Sequence, residues 1–141
     1  MDDTYEPTIV AFLCNWCTYT AADLAGTSRL VYPANVKIIR MMCSGMVDPK
    51  YVVKAFLEGA DGVLIGGCWP GDCHYINGNM KARRRVGLLH EVIDQFGIDR
   101  ERLWLRWVAA SEGNMFVEVV EEMTQRLREL GPNPLREKMI A

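Results

Sequence analysis

The 141-residue sequence is short of several things, and each shortage closes off a class of protein. Sixteen basic against eighteen acidic residues leave a formal net charge of −2, so no global field favours nucleic acid or an acidic lipid surface. No stretch approaches the roughly 18 unbroken apolar residues that cross a bilayer, which argues against a membrane protein. The acidic start MDDTYEP and the brief apolar run Thr8–Leu13 do not make a secretory signal, so a cytoplasmic location is expected. The sequence has no G-x-G-x-x-G after its first apolar run, no Walker sequence, no G-x-S-x-G and no paired-carboxylate motif. Only two histidines occur. His90, inside LLHEV, reads as a structural residue of a helix, whereas His74 follows Cys73 and reads equally as a plain loop histidine or as one that orients a site or bonds a sulfur. Five cysteines are well below disulfide-scaffold density and are odd in number, so an even framework of bridges leaves one thiol over.

What is present begins with an alternation of two periodicities. Short β-branched runs occur at Thr8–Leu13, Val36–Met42, Gly62–Ile65 and Leu103–Val108. The middle two are nearly continuous in apolar character, as expected of central parallel strands covered on both faces. Helical patterns lie between and after them. One covers about Ala21–Arg29, with Gly26 inside it. Asp48-Pro49 caps a second, whose face is Val52, Val53, Phe56 and Leu57 before Gly59. A third runs from about Asn79 to Phe96, ahead of Gly97, and a fourth from about Asn114 to Leu130, closed by Gly131-Pro132. The order β-α-β-α-β-α-β-α predicts a single α/β domain over residues 1–130. Its four-stranded parallel sheet would carry helices on both faces, as a flavodoxin-like or Rossmann-like three-layer sandwich. Residues 131–141 read as an extended C-terminal arm, either a frayed end or one whose Leu135, Met139 and Ile140 dock on a partner.

Laid on that pattern, the cysteines are not scattered. Cys14 follows the first strand and Cys17 lies three residues on, in CNWC. Cys43 follows the second strand, Cys68 the third, and Cys73 sits in the next loop, GCWPGDCHY. In a parallel sheet the carboxyl ends share one edge, where open α/β folds bind ligands. A lone buried cysteine usually serves as a small hydrophobe, but five at one edge point to a site. The C-x2-C and C-x4-C spacings let one loop supply two thiolates to one centre, as in iron–sulfur sites. Gly66, Gly67 and Gly71 allow close backbone approach.

Four thiolates suit zinc or an iron–sulfur cluster. Zinc ribbons use two C-x2-C knuckles, and only one is present. A thiol–disulfide enzyme would use CNWC at a helix start, but that leaves Cys43, Cys68 and Cys73 without a role. Iron–sulfur accounts for most of the pattern, with a zinc-stabilised interaction domain and a thiol–disulfide oxidoreductase as the rivals. Beside the site, Lys81-Ala-Arg-Arg-Arg85 reads as a solvated face, a docking patch, or cationic charge near an anionic cluster. Trp16 and Trp69 lie within the two cysteine loops, placed to pack in the core, shield the site or meet a partner.

The segments CNWCTYTAADLAGTSR, RMMCSGMVDPKYVVKAFLEGADGVLIGGCWPGDCHYINGN and KARRRVGLLHEVI carry a resemblance. Over about Thr8 to Leu130 the chain resembles the delta subunit of methyl-viologen-reducing hydrogenase, also called the iron–sulfur (delta) subunit of F420-non-reducing [NiFe] hydrogenase. GC-x-PGDCHY-x-x-GN is its most specific motif. Met46 departs from the arginine common in that family after CSG. The resemblance implies a [2Fe–2S] cluster, with the family's cysteines falling on Cys14, Cys17, Cys43, Cys68 and Cys73. It also implies a relay without substrate chemistry of its own. Electrons would come from the hydrogenase small subunit, or from formate dehydrogenase in some assemblies. They would pass to the flavin-containing subunit of heterodisulfide reductase, the seat of electron bifurcation in methanogenesis. The expected ligands are Cys14, Cys17, Cys68 and Cys73, because each loop then supplies a close pair. Cys43 is the expected neighbour, exchanging with Cys17 if that loop points outward.

Overall fold

Parallel strands must be joined by crossovers that return the chain from one sheet edge to the other, and the helices here do that work. The computed structural model describes residues 6–30, 35–71, 73 and 77–135. Strands β1 (Ile9–Cys14), β2 (Val36–Met41), β3 (Gly62–Gly67) and β4 (Leu103–Trp107) form one parallel sheet in the order β2-β1-β3-β4. Helices α1 (Thr18–Thr27), α2 (Pro49–Leu57) and α3 (Gly78–Gln95) connect them, and α4 (Gly113–Leu130) follows the last strand. Two single 3-10 turns, Ser44–Met46 and Arg100–Arg102, are too short to show as a period in the sequence.

Strand alternation divides the core into two layers. Ile9, Ala11 and Leu13 of β1 join Leu64 against Ala21 and Ala25 of α1 and Phe116, Val120 and Leu127 of α4. Phe12, Val63 and Ile65 face the other way, against Val52 and Phe56 of α2 and Val86, Leu89 and Ile93 of α3. The three-layer α/β sandwich expected from the sequence is the observed architecture. No helix among the described residues is long and apolar enough to cross a membrane.

One expectation is corrected. The run at Val36–Met42 is not a central strand, because β2 pairs only with β1 and forms an edge. Its Lys37, Ile39 and Arg40 are exposed, and the two charges are what such an edge tolerates. The central strands are β1 and β3, the latter buried at all six positions. Helix α1 begins at Thr18 rather than Ala21 and continues through Gly26. At α2 the capping signal holds, since the Asp48 carboxylate accepts the Lys50 amide at 2.9 Å.

The segment after α4 does not leave the domain at Gly131. Asn133 is fully buried and donates to the carbonyls of Phe56 and Ala60 at 3.0 and 2.7 Å. Its amide in turn donates to Asp61 at 2.9 Å. Arg102, 3% exposed, donates to the carbonyls of Asp61, Gly131 and Pro132. Leu135 is partly buried and packs on the chain's own α2/α3 layer. Met139 and Ile140 lie outside the described residues.

Candidate metal centre

The parallel register lines up the carboxyl ends of three strands. Cys14, the last residue of β1, pairs with Met41 of β2, and Leu13 pairs with Gly66 of β3. The CNWC turn closes with the Cys17 amide donating to the Cys14 carbonyl at 3.4 Å. Cys17 then caps the start of α1, where its carbonyl accepts the Ala21 amide at 2.8 Å. Cys68 leaves β3 directly into this space. The three sulfurs consequently meet: Cys17 and Cys68 lie 3.0 Å apart, and Cys14 and Cys68 3.8 Å. All three lie within 4.8 Å of one another. Their residues are only 1, 5 and 3% exposed, and half-buried Cys73 packs against them.

Cys43 stands at the side of this group, where the 3-10 turn begins. Its sulfur accepts the Gly45 amide at 3.4 Å. The first residue of α3 lies beside both it and Cys73. A side-chain carbon at Gly78 would overlap the Cys43 sulfur and stand 3.4 Å from the Cys73 sulfur. At Gly45 it would come within 2.7 Å of the Gly78 carbonyl oxygen. Only glycine fits this backbone-on-backbone approach. All five cysteines thus converge on the carboxyl edge, as a group of three with Cys73 against it and Cys43 alongside.

The thiols do not ionise alike. Cys14 is pushed down from the ordinary thiol value of 9.0 to about 6, chiefly because the Cys17 thiol donates to it. Main-chain amides and Cys68 add to that, against the opposing pull of burial. Cys17, the proton's holder, is pushed far up by the same bond and by burial. Burial is also the main cause that raises Cys43. One buried thiolate is sustainable in such a pocket, but several in contact repel and lack water. A cation is what would let the whole group ionise. Four thiolates about 2.3 Å from one metal ion stand ~3.8 Å apart, the spacing of Cys14 and Cys68. The donor set therefore fits a sulfur-ligated metal group.

Other residues singled out in the sequence divide. Trp16 and Trp69 are exposed by 42 and 40%, so neither is a core residue. The Trp69 indole donates to Glu112 at 2.6 Å. That bond and the Ala109 amide hold the Glu112 carboxyl below the usual range, the amide being the larger cause. Within the basic run, Lys81, Arg83 and Arg84 are exposed. Arg85 is not a free surface charge, since it donates to the carbonyls of Gly45 and Val47 and grips the turn that carries Cys43. His90 bonds the Leu103 carbonyl oxygen at 2.8 Å through Nε2, a structural contact. His74 lies outside the described residues.

Three polar residues of the site carry no signal of their role in the local sequence pattern. Thr18, 1% exposed, reaches the carbonyls of Gly67 and Val108 and lies 3.6 Å from the Cys17 sulfur. Ser44 is buried below Gly67, where it blocks a side chain. Asn79 is fully buried and donates to the carbonyls of Cys68 and Trp69. The nearest thing to a signal for Asn79 is the Gly-Asn pair ending the cysteine motif, at the start of a helix.

Residues 9–131 match the family described as methyl-viologen-reducing hydrogenase, delta subunit. The chain is 50% identical over 137 residues to the iron–sulfur subunit of the vhc F420-non-reducing hydrogenase of Methanococcus voltae, covering 97% of this chain and 95% of that one. It is 52% identical over 132 residues to the corresponding iron–sulfur subunit of the F420-non-reducing hydrogenase of Archaeoglobus profundus, covering 94 and 96%. A third relative belongs to the ferredoxin/F420H2-dependent CoB-CoM heterodisulfide reductase of Methanosarcina acetivorans. There the identity is 50% over 126 residues, spanning 89% of this chain but 16% of that longer one.

Proposed function

The chain belongs to the family of methyl-viologen-reducing hydrogenase delta subunits, and from that membership we propose that it relays electrons within a hydrogenase–heterodisulfide reductase assembly. The observation that carries the reading is the meeting of the Cys14, Cys17 and Cys68 sulfurs within 4.8 Å, with Cys73 packed against them. In this reading those four residues hold a [2Fe–2S] cluster, and Cys43 is the fifth thiol beside it. When bound, such a group stores and releases one electron at a potential tuned by its ligands, hydrogen bonds and burial. The chain's own residues do the rest. The strand ends fix where the sulfurs stand, the two helical layers keep water out, and Thr18 and Gly45 supply polar groups next to sulfur. Exposed Trp16 and Trp69 in the flanking loops suit a surface that meets a partner.

The donor in this account is the hydrogenase small subunit, with formate dehydrogenase in its place in some assemblies. The acceptor is the flavoprotein subunit of heterodisulfide reductase, where bifurcation takes place. Support comes from relatives of both kinds: iron–sulfur subunits of hydrogenases, and a heterodisulfide reductase polypeptide in which the matching segment is part of a longer chain. The relay works in the cytoplasm, where unbridged thiols persist.

Anaerobic purification followed by iron, sulfide and zinc analysis, with electron paramagnetic resonance (EPR) after dithionite, tests the proposal. About two irons and two sulfides per chain are expected, with a signal on reduction. Stoichiometric zinc without iron overturns it, and so does full activity of a chain in which Cys68 and Cys73 are replaced by serine.

A further inference from the structure

Three residues in the first half of α3 hold two of the cysteine-bearing segments. Gly78 lies against the sulfurs of both Cys43 and Cys73, with its backbone against Gly45. Arg85, two turns on, holds the carbonyls of Gly45 and Val47. Between them, the Asn79 amide nitrogen bridges two successive carbonyls, those of Cys68 at 2.9 Å and Trp69 at 3.0 Å. Its oxygen accepts the Met80 amide at 2.8 Å. The side chain is fully buried and every polar atom of the amide is used.

Two carbonyls that point at one donor fix the peptide planes on either side of Trp69. They therefore fix the direction in which the chain leaves Cys68 toward Cys73. We infer that Asn79 is a positioning residue for the metal group, holding the Cys68–Cys73 loop in the geometry its thiolates need. The inference rests on the proposed role of the centre and adds a residue outside the thiol set. Asn79 acts through the main chain of the ligand residue; partners that orient a metal ligand change metal affinity by about 10- to 100-fold when removed. The loop also contains Gly71 at φ +90°, a turn conformation that favours glycine.

A matched control exists in the same molecule. Asn133 is equally buried and also donates to two main-chain carbonyls, those of Phe56 and Ala60, but at the amino edge of the sheet. Full-length Asn79→Ala, Asn79→Asp and Asn133→Ala are purified anaerobically beside the unaltered chain. Iron release to increasing chelator and the EPR line positions of the reduced protein are then recorded, with circular dichroism to verify folding. Asn79→Asp keeps the acceptor for Met80 but cannot donate, so it reports on the clamp if the alanine variant does not fold. The expected result is a roughly 10- to 100-fold lower chelator midpoint and moved EPR lines in the Asn79 variants. Asn133→Ala should melt earlier yet match the unaltered chain in both. Asn79 variants that match the unaltered chain overturn the inference, and so does an Asn133 variant that moves both readouts equally. If the unaltered chain carries zinc, the cluster reading fails, and zinc release in the same chelator series decides the clamp separately.

Discussion

The sulfurs of Cys17 and Cys68 lie 3.0 Å apart, although 51 positions separate them in the chain. One closes the turn after β1 and the other leaves β3, so the contact exists only because these two strands pair in parallel, in register.

The unequal ionisation of the thiols gives the metal-free chain a stability maximum in pH. Cys14 has a folded value of about 6 against an ordinary 9.0. A depressed value contributes stability that is present above 9 and is lost as pH falls through 6. Cys17 and Cys43 are raised, so the fold keeps protons that the unfolded chain releases above about 9. Urea midpoints of the reduced, metal-free chain should therefore rise from about pH 6 to pH 9 and fall beyond it. Thiolate ultraviolet absorbance should show one group titrating near pH 6, and Cys17→Ala, which removes the donor, should move it upward. An absorbance that stays flat until pH 8 contradicts the assignment.

Two glycines of α3 should respond to alanine in opposite ways. At Gly78 the new methyl overlaps the Cys43 sulfur, and moving packed atoms costs about 1–3 kcal/mol. At exposed Gly87 nothing lies within 4 Å, so alanine should gain about 1 kcal/mol of helix stability. Thermal melts and metal content check both, and Gly78→Ala should lose metal while Gly87→Ala keeps it. Equal behaviour of the two would remove Gly78 from the site.

The legible part of the fold was the part written in local periods. The order of strands and helices, the Asp48 cap and the carboxyl-edge placement of all five cysteines follow from short segments read one at a time. The edge position of β2 did not, because VKIIRMM is apolar enough to pass for a central strand, and its Lys37 and Arg40 were the overlooked sign. The roles of Thr18, Ser44 and Asn79 depend on which loops approach one another, and nothing local encodes that. Arg85 misled for a related reason. A run of basic residues looks uniformly solvated until one of them is found on the carbonyls of a neighbouring turn.

At the opposite edge, Arg102 should prove to be the clasp for the segment after α4. Arg102→Ala leaves the carbonyls of Asp61, Gly131 and Pro132 without their buried donor. The cost should be about 3 kcal/mol, or roughly 10 °C in Tm. Limited proteolysis should cut after Pro132 sooner in the variant, while its metal content matches the unaltered chain. An uncut variant with an unchanged Tm would show that the clasp carries no weight.

That four of the five converging thiols hold a redox-active cluster is open to one direct measurement. Each cysteine is changed to serine in turn, and the EPR signal of the anaerobically purified, dithionite-reduced protein is integrated. The predicted result is loss of the signal in Cys14→Ser, Cys17→Ser, Cys68→Ser and Cys73→Ser, with the signal retained in Cys43→Ser. A full signal in Cys68→Ser, or an unaltered chain that is purified anaerobically without iron and gives no signal, would contradict it.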